Sequence, residues 1–291
     1  AVISANKTTV GTTSVQTDLY VNGEKVSLSL SAGQTASERR QYVMESINAG
    51  TAVHGVTAGD GGNGGLFDVV NGNSVLTING AISSETGGSV HAVGDIIKMG
   101  AGTLELSSGG NQAGTFNNGF NGLIDVRQGT LRVTYNSNGT SGSTTSSMFG
   151  TNRSALDGTI LRDGTRLELW NGAGAGATDY AWEEWFRFEG NNTVQFGQPG
   201  LTNTRISNLN GVIDLQGNVI MDVTANATAR LNTSGGYLTG TGSITKMGQG
   251  VLEFRDNNVE WSGQLLINEG TAVVASTGRA AGMSTLPIML G

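Results

Sequence analysis

Residues 94–106 read Gly94-Asp95-Ile96-Ile97-Lys98-Met99-Gly100-Ala101-Gly102-Thr103-Leu104-Glu105-Leu106. Residues 242–254 read Gly242-Ser243-Ile244-Thr245-Lys246-Met247-Gly248-Gln249-Gly250-Val251-Leu252-Glu253-Phe254. Eight of these 13 positions are identical. The likeness resumes after a variable link. Phe120-Asn121-Gly122-Leu123-Ile124-Asp125-Val126-Arg127-Gln128-Gly129-Thr130-Leu131-Arg132-Val133 matches Trp261-Ser262-Gly263-Gln264-Leu265-Leu266-Ile267-Asn268-Glu269-Gly270-Thr271-Ala272-Val273-Val274 in the same style. A unit of about forty residues therefore occurs twice, and a repeat on that scale points to stacked supersecondary units. Inside each unit short apolar alternations stop at Gly-x-Gly or Gly-Thr. Alternation sends every second side chain inward, and glycine lets the backbone turn a corner at positive φ. Stacking such turns at ~4.8 Å gives a solenoid. A two-sheet sandwich also explains the alternation, but not a repeat spaced by irregular insertions.

The rest of the chain from about residue 66 keeps this style. Phe67-Asp68-Val69-Val70, Val75-Leu76-Thr77-Ile78, Leu167-Glu168-Leu169, Val212-Ile213-Asp214-Leu215 and Val219-Ile220-Met221-Asp222-Val223 all read as short strands bounded by turn residues. The expected interior residues are Leu104, Leu106, Ile124, Val126, Leu131, Val133, Leu252, Phe254, Leu265 and Ile267. The N-terminal part differs. Val15, Thr17, Leu19 and Val21 alternate up to Asn22-Gly23, and Val26, Leu28 and Leu30 alternate after it, which predicts a hairpin with a tight turn. Thr35-Ala36-Ser37-Glu38 reads as a capping box opening a helix with Ala36, Val43, Met44 and Ile47 on one face, ended by Asn48-Ala49-Gly50.

Composition agrees. Of 291 residues, 47 are Gly, and Gly, Ser, Thr and Asn together supply 131; there are two Pro and no Cys, and the formal net charge is −7. Poor helix formers on this scale argue against a helical bundle. Lys/Arg-rich runs are lacking, which argues against a nucleic-acid partner. Without cysteine no disulfide scaffold or thiolate metal site can exist. No run approaches the ~18 apolar residues of a membrane span, so no direct membrane span is expected.

Lys-Met-Gly-x-Gly-x-Leu-Glu-Leu, an Asn-rich link, an aromatic-x-Gly and Gly-Thr-Leu-x-Val resemble the autotransporter-associated β-strand repeat. That repeat belongs to passenger regions of bacterial type V secreted proteins, in the pertactin-like and self-associating adhesin group. It covers about residues 92–133 and 240–274 well and the intervening turns only in style. The resemblance implies a right-handed parallel β-helix, expected over residues 56–291 of an all-β chain, and the hairpin and short helix read above form a separate cap over residues 1–55. It also implies display on the extracellular surface of a Gram-negative bacterium. The hairpin and helix do not match the repeat, and residues 1–291 include no alternating barrel strands of a translocator. The last unit stops where another turn of a solenoid is expected, which reads as a fragment or as an end covered by another subunit.

Candidate chemistry is sparse. Trp170, Tyr180, Trp182, Glu183 and Trp185 lie in an aromatic-rich loop insertion expected near 170–190, led by Asn171-Gly172-Ala173-Gly174-Ala175-Gly176. They are the candidate contacts for a glycan or a protein partner, since Trp and Tyr serve equally in cores and interfaces. The same segment, packed against the wall of the fold with its charges outward, explains the composition as well. Catalytic carboxylates need to converge on one face. Asp157-Gly158 and Asp163-Gly164 read as turn pairs, and Glu183 and Glu184 point to opposite faces if extended. His54 and His91 are too few for a triad or a His-rich metal site. Gly59-Asp60-Gly61-Gly62 lacks a nucleophilic serine, and Gly61–Leu66, with Asp68 displaced, misses the calcium nonapeptide pattern. The sequons Asn191-Asn192-Thr193 and Asn226-Ala227-Thr228 are expected by chance in so Asn/Thr-rich a chain. The expectation is a non-enzymatic surface protein, without cofactor or metal, mediating adhesion, cell–cell aggregation or biofilm formation by self-association or by binding matrix glycan or protein. The alternative is a subunit of an extracellular filament or surface layer, built by donating an N-terminal strand to an open solenoid end.

Overall fold

The computed structural model describes residues 14–21, 23–60, 65–78, 95–107, 122–135, 149, 158–171, 179–231, 236–255, 260–275 and 288–291. The chain begins with β1 (Val15–Val21), β2 (Glu24–Leu30), α1 (Ala36–Ala49) and α2 (Thr51–His54). It continues through β3 (Val56–Asp60), β4 (Gly65–Val69), β5 (Val75–Ile78), β6 (Ile96–Met99), β7 (Thr103–Ser107), β8 (Ile124–Val126), β9 (Thr130–Tyr135), β10 (Thr159–Leu161) and β11 (Arg166–Asn171). Then come β12 (Asp179–Trp182), β13 (Phe186–Phe188), β14 (Asn192–Phe196), β15 (Arg205–Leu209), β16 (Ile213–Leu215), β17 (Val219–Val223) and β18 (Ala227–Leu231). The last are β19 (Leu238–Gly240), β20 (Ile244–Met247), β21 (Val251–Phe254), β22 (Glu260–Trp261), β23 (Leu265–Ile267), β24 (Thr271–Val274) and β25 (Met289–Leu290).

Among the described residues these strands form three sheets. A long sheet of 11 strands runs β2-β1-β5-β7-β9-β11-β14-β17-β20-β23-β25. A second sheet of nine runs β22-β19-β16-β13-β10-β8-β6-β4-β3, and a short sheet of five runs β12-β15-β18-β21-β24. From β12 to β24 the chain visits short, second and long sheet in fixed rotation, so each strand pairs in parallel with the strand one circuit later. Every pairing from β4–β6 onward is parallel. Parallel strands need crossovers, and here the crossover is the other two sheets rather than a helix. The protein is mostly β, with long parallel sheets.

The interior is the inward half of every alternation. Leu104, Leu106, Ile124, Val126, Leu131, Val133, Leu252, Phe254 and Leu265 are all buried, and Ile267 is partly buried against them. Each fully buried side chain of this size contributes roughly 1.5–3 kcal/mol, so the layers together supply the main driving force. Phe149 joins an aromatic cluster with Trp182 and Phe186, at ring distances of 5.9 and 5.2 Å in edge-to-face geometry.

The N-terminal segment closes one end of two sheets. Val21 pairs with Glu24 across a two-residue connection whose Gly23 has φ +81°. β1 then pairs antiparallel with β5, and β3 antiparallel with β4. The capping box of α1 is formed: Thr35 Oγ1 accepts from the Glu38 N–H at 3.2 Å, and the Glu38 carboxylate accepts from the Thr35 N–H at 2.7 Å. Val43 and Ile47 are buried and Met44 is partly buried; the side chain of Ala36 lies outside the described residues. Asn48 reaches from α1 to the edge strand β3. Its amide donates to the Ala58 carbonyl at 2.9 Å, and its carbonyl accepts from the Ala58 N–H at 2.7 Å. One side chain thereby satisfies both backbone groups of an edge residue.

The repeated Lys-Met-Gly segment forms a corner with a charged centre. Lys98 is fully buried, and its ammonium donates to the carbonyls of Met99 at 2.7 Å, Gly100 at 2.7 Å and Gln128 at 2.9 Å. Lys246, also fully buried, repeats this with Met247 at 2.6 Å, Gly248 at 2.7 Å and Glu269 at 3.1 Å. Two acceptors lie in the lysine's own layer and the third in the next, so each ammonium ties two layers together. The match also extends one layer back. The Gly102 N–H donates to Val69 at 2.8 Å, and the Gly250 N–H donates to Val223 at 2.9 Å, behind Asp68 and Asp222 respectively. Burial pulls the Lys98 ammonium down to about 8, opposed by Asp68, and it also lowers Lys246, opposed by Asp222 and Glu269. The two copies do not occupy the same place. Lys98 lies on β6 at the turn from second sheet to long sheet. Lys246 lies on β20 at the turn from long sheet to short sheet.

Candidate functional site

The aromatic-rich stretch is largely woven into the sheets. Residues 172–178 lie outside the described residues, whereas 179–188 supply β12 and β13. Alternation sorts the candidates. Trp182, Glu184 and Phe186 point inward and are at most 2% exposed, while Glu183 and Trp185 between them are half-buried and face outward. Tyr180 is also buried, 4.3 Å from the Trp182 ring. The structure therefore brings Glu183 and Trp185 together on the surface and places Tyr180 and Trp182 in the interior.

Trp170 stands apart, on the outer face of the long sheet. The Arg132 guanidinium lies 3.8 Å from its ring centre, and its indole N–H donates to Gln195 at 3.2 Å. One ring face is thus already occupied by a cation–π contact. Around it runs a ladder in which Glu168 accepts from Arg132 at 2.6 Å and from Arg166 at 2.8 Å, and Gln195 donates to Asp222 at 3.1 Å. The second sheet carries a similar ladder. Asp125 accepts from Arg127 and Arg162, both at 2.8 Å, Arg162 donates onward to Glu189 at 2.6 Å, and Arg187 donates to Asp214 at 2.9 Å. Burial opposes the Asp125 charge, but the hydrogen bonds from Arg162 and Arg127 outweigh it and hold the carboxyl below the ordinary range. In-register parallel pairing places these groups one strand spacing apart, which is why the ladders form.

The carboxylates singled out as catalytic candidates sit in structural settings. Asp163 is exposed at a corner and accepts from the Asn191 N–H at 2.7 Å in the next layer. Glu184 is buried and accepts from the Thr159 hydroxyl at 2.9 Å, while Asp157 lies outside the described residues. His54 is buried, with Nδ1 accepting from the Val56 N–H at 3.2 Å; His91 lies outside the described residues. Among the described residues no three His, Asp or Glu side chains form a group able to hold a metal ion. No helix among them is long and apolar enough to cross a membrane.

Stacking adds neighbours to Glu183 and Trp185 that are remote in sequence. Phe186 pairs with Ile213, and Ile213 with Leu238. The Phe186 N–H donates to Val212 at 2.9 Å, and the Ile213 N–H donates to Tyr237 at 3.0 Å. Trp185, Val212 and Tyr237 therefore hold the same position in three successive layers. Tyr237 is 37% exposed. Asn210 and Val212, both half-buried, lie in the layer between. No local signal connects Tyr237 to Trp185, because circuit length varies and register alone aligns them. Comparison with protein-family models, curated proteins and solved structures returns no match.

Proposed function

We propose that the chain is a right-handed parallel β-helix of the autotransporter-passenger type, displayed outside a Gram-negative cell and acting in adhesion or aggregation. The observation that carries this reading is the uninterrupted stack of parallel strands whose outward rows form side-chain ladders. Such a wall offers repeated, weak, in-register contacts, and many of these acting together give avidity without any single strong site. The right-handed sense follows from the twist rule for parallel crossovers. Low charge density also supports the reading, since 13% charged residues and a net charge of −7 give little mutual repulsion between copies. The test is to couple the purified chain to beads and measure clumping and retention on glycan- and matrix-coated surfaces against bare beads. Clumping or retention above bare beads is expected. Beads that neither clump nor bind any coated surface exclude adhesion.

A second reading is a head-to-tail filament or surface-layer subunit, in which an N-terminal strand of one copy adds to a sheet edge of the next. Unpaired parallel edges are templates for strand addition. Electron microscopy of the concentrated chain separates the two readings. Fibres lost on deleting residues 1–14 indicate strand donation, and single rods in both forms exclude it.

A further inference from the structure

Trp185, Val212 and Tyr237 form a column on the outer corner between the short and second sheets, with Glu183 and Asn210 beside it. Adjacent parallel layers are ~4.8 Å apart, so the two aromatic rings repeat at ~9.6 Å along the stacking direction. We propose that this column binds a neutral, extended, β-linked polysaccharide running along that direction, an inference that rests on the adhesive reading. In such a chain each sugar is flipped relative to the last, so the same ring face recurs once per disaccharide, a length equal to two layers. The two aromatics then meet equivalent faces of alternate sugars. The intervening sugar lies over Val212, which is smaller than either ring and leaves it room. Aromatic rings with a polar rim suit sugar faces, which are apolar in the middle and hydroxylated at the edge. Glu183 and Asn210, at matching positions in adjacent layers beside the column, add polar groups to its edge. An acidic chain is disfavoured. The nearest cation, Arg187, lies over one face of the Trp185 ring, 5.5 Å from its centre, which leaves the opposite face for a sugar; it also donates to Asp214 at 2.9 Å, while Glu183 and the net charge of −7 repel anions.

The probes are soluble cello- and chito-oligosaccharides of two, four and six sugars, titrated into the full chain by calorimetry. A ligand long enough to reach both rings is expected to bind about tenfold or more tightly than the disaccharide, because the second contact is made within one complex. Trp185→Ala and Tyr237→Ala are each expected to reduce six-sugar affinity about tenfold, at the scale of an aromatic contact removed from an interface. Tyr237→Phe keeps the ring and is expected to bind within a few-fold of the parent. Circular dichroism checks folding, and if Trp185→Ala unfolds, the exposed Tyr237 carries the test alone. Absence of binding, affinity independent of length, unchanged affinity in folded Tyr237→Ala, or preference for an acidic polysaccharide each overturns the inference. Beads that clump or adhere while the oligosaccharides fail to bind overturn this site and leave adhesion standing. Beads that do neither remove the adhesive reading itself.

Discussion

Lys98 and Lys246 show how a charged side chain comes to be fully buried in a mostly β protein: each ammonium spends its three donors on three carbonyls at a turning backbone. Replacing the lysine by methionine keeps volume but strands those acceptors. Lys98→Met or Lys246→Met is expected to lose ~2–5 kcal/mol, seen as a lower urea midpoint. The charge also has a pH signature. Lys98 is pulled down to about 8 in the fold, below its ordinary 10.5. Between those values the unfolded chain binds the extra proton, so stability rises with pH across that window, at up to ~1.4 kcal/mol per pH unit. Denaturation at pH 7.5, 9 and 10.5 is expected to show a rise in the parent that is smaller in Lys98→Met, where the lowered Lys246 still contributes in the same direction. The glycines separate two effects. Gly129 (φ +73°) and Gly164 (φ +75°) share a left-handed backbone, but a Cβ on Gly129 falls 2.4 Å from the Gly100 carbonyl oxygen while one on Gly164 meets nothing within 4 Å. Gly164→Ala is expected to cost ~1 kcal/mol from backbone strain alone, and Gly129→Ala several times that, because the backbone of the preceding layer must also shift. Comparing the two urea midpoints checks the difference.

At the scale of elements, local signals were the readable ones. The hairpin, the capping box and nine buried core residues follow from alternation and from one turn of helix chemistry, all contained within a few neighbouring residues. Asn48 was legible only as a helix end, because its second task depends on where β3 lies. Asn48→Ala is expected to leave both backbone groups of Ala58 without their partner. Amide exchange in β3 rises at least tenfold, with little change in the layers beyond β6, as native-state hydrogen exchange checks. The candidate site was half legible. Outward Glu183 and Trp185 could be singled out by composition, but Tyr180 and Trp182 fall on the inward phase of the same alternation. A stretch rich in both Trp and Glu reads as surface when its strand phase is unknown. Tyr237 and Asn210 carry no mark at all until the register is drawn.

For the whole molecule, the Lys-Met-Gly repeat announced stacking but hid its own placement. Its copies turn different corners, and the layer behind each, with Asp68 and Asp222, lies at a different distance along the chain. If the proposed β-helix is right, small-angle scattering should give an elongated profile, and a compact globular one removes it. The displacement of the repeat from one corner to the next has a wider meaning. What recurs is a hinge: a lysine, carbonyls of its own layer and of the next, and the glycines that bring them together. It needs the strand edge below it and is indifferent to which wall that edge belongs to. A gene built this way tolerates duplications and slippages whose lengths are not whole circuits, since an inserted hinge arriving a third of a turn late still finds an edge to fold against.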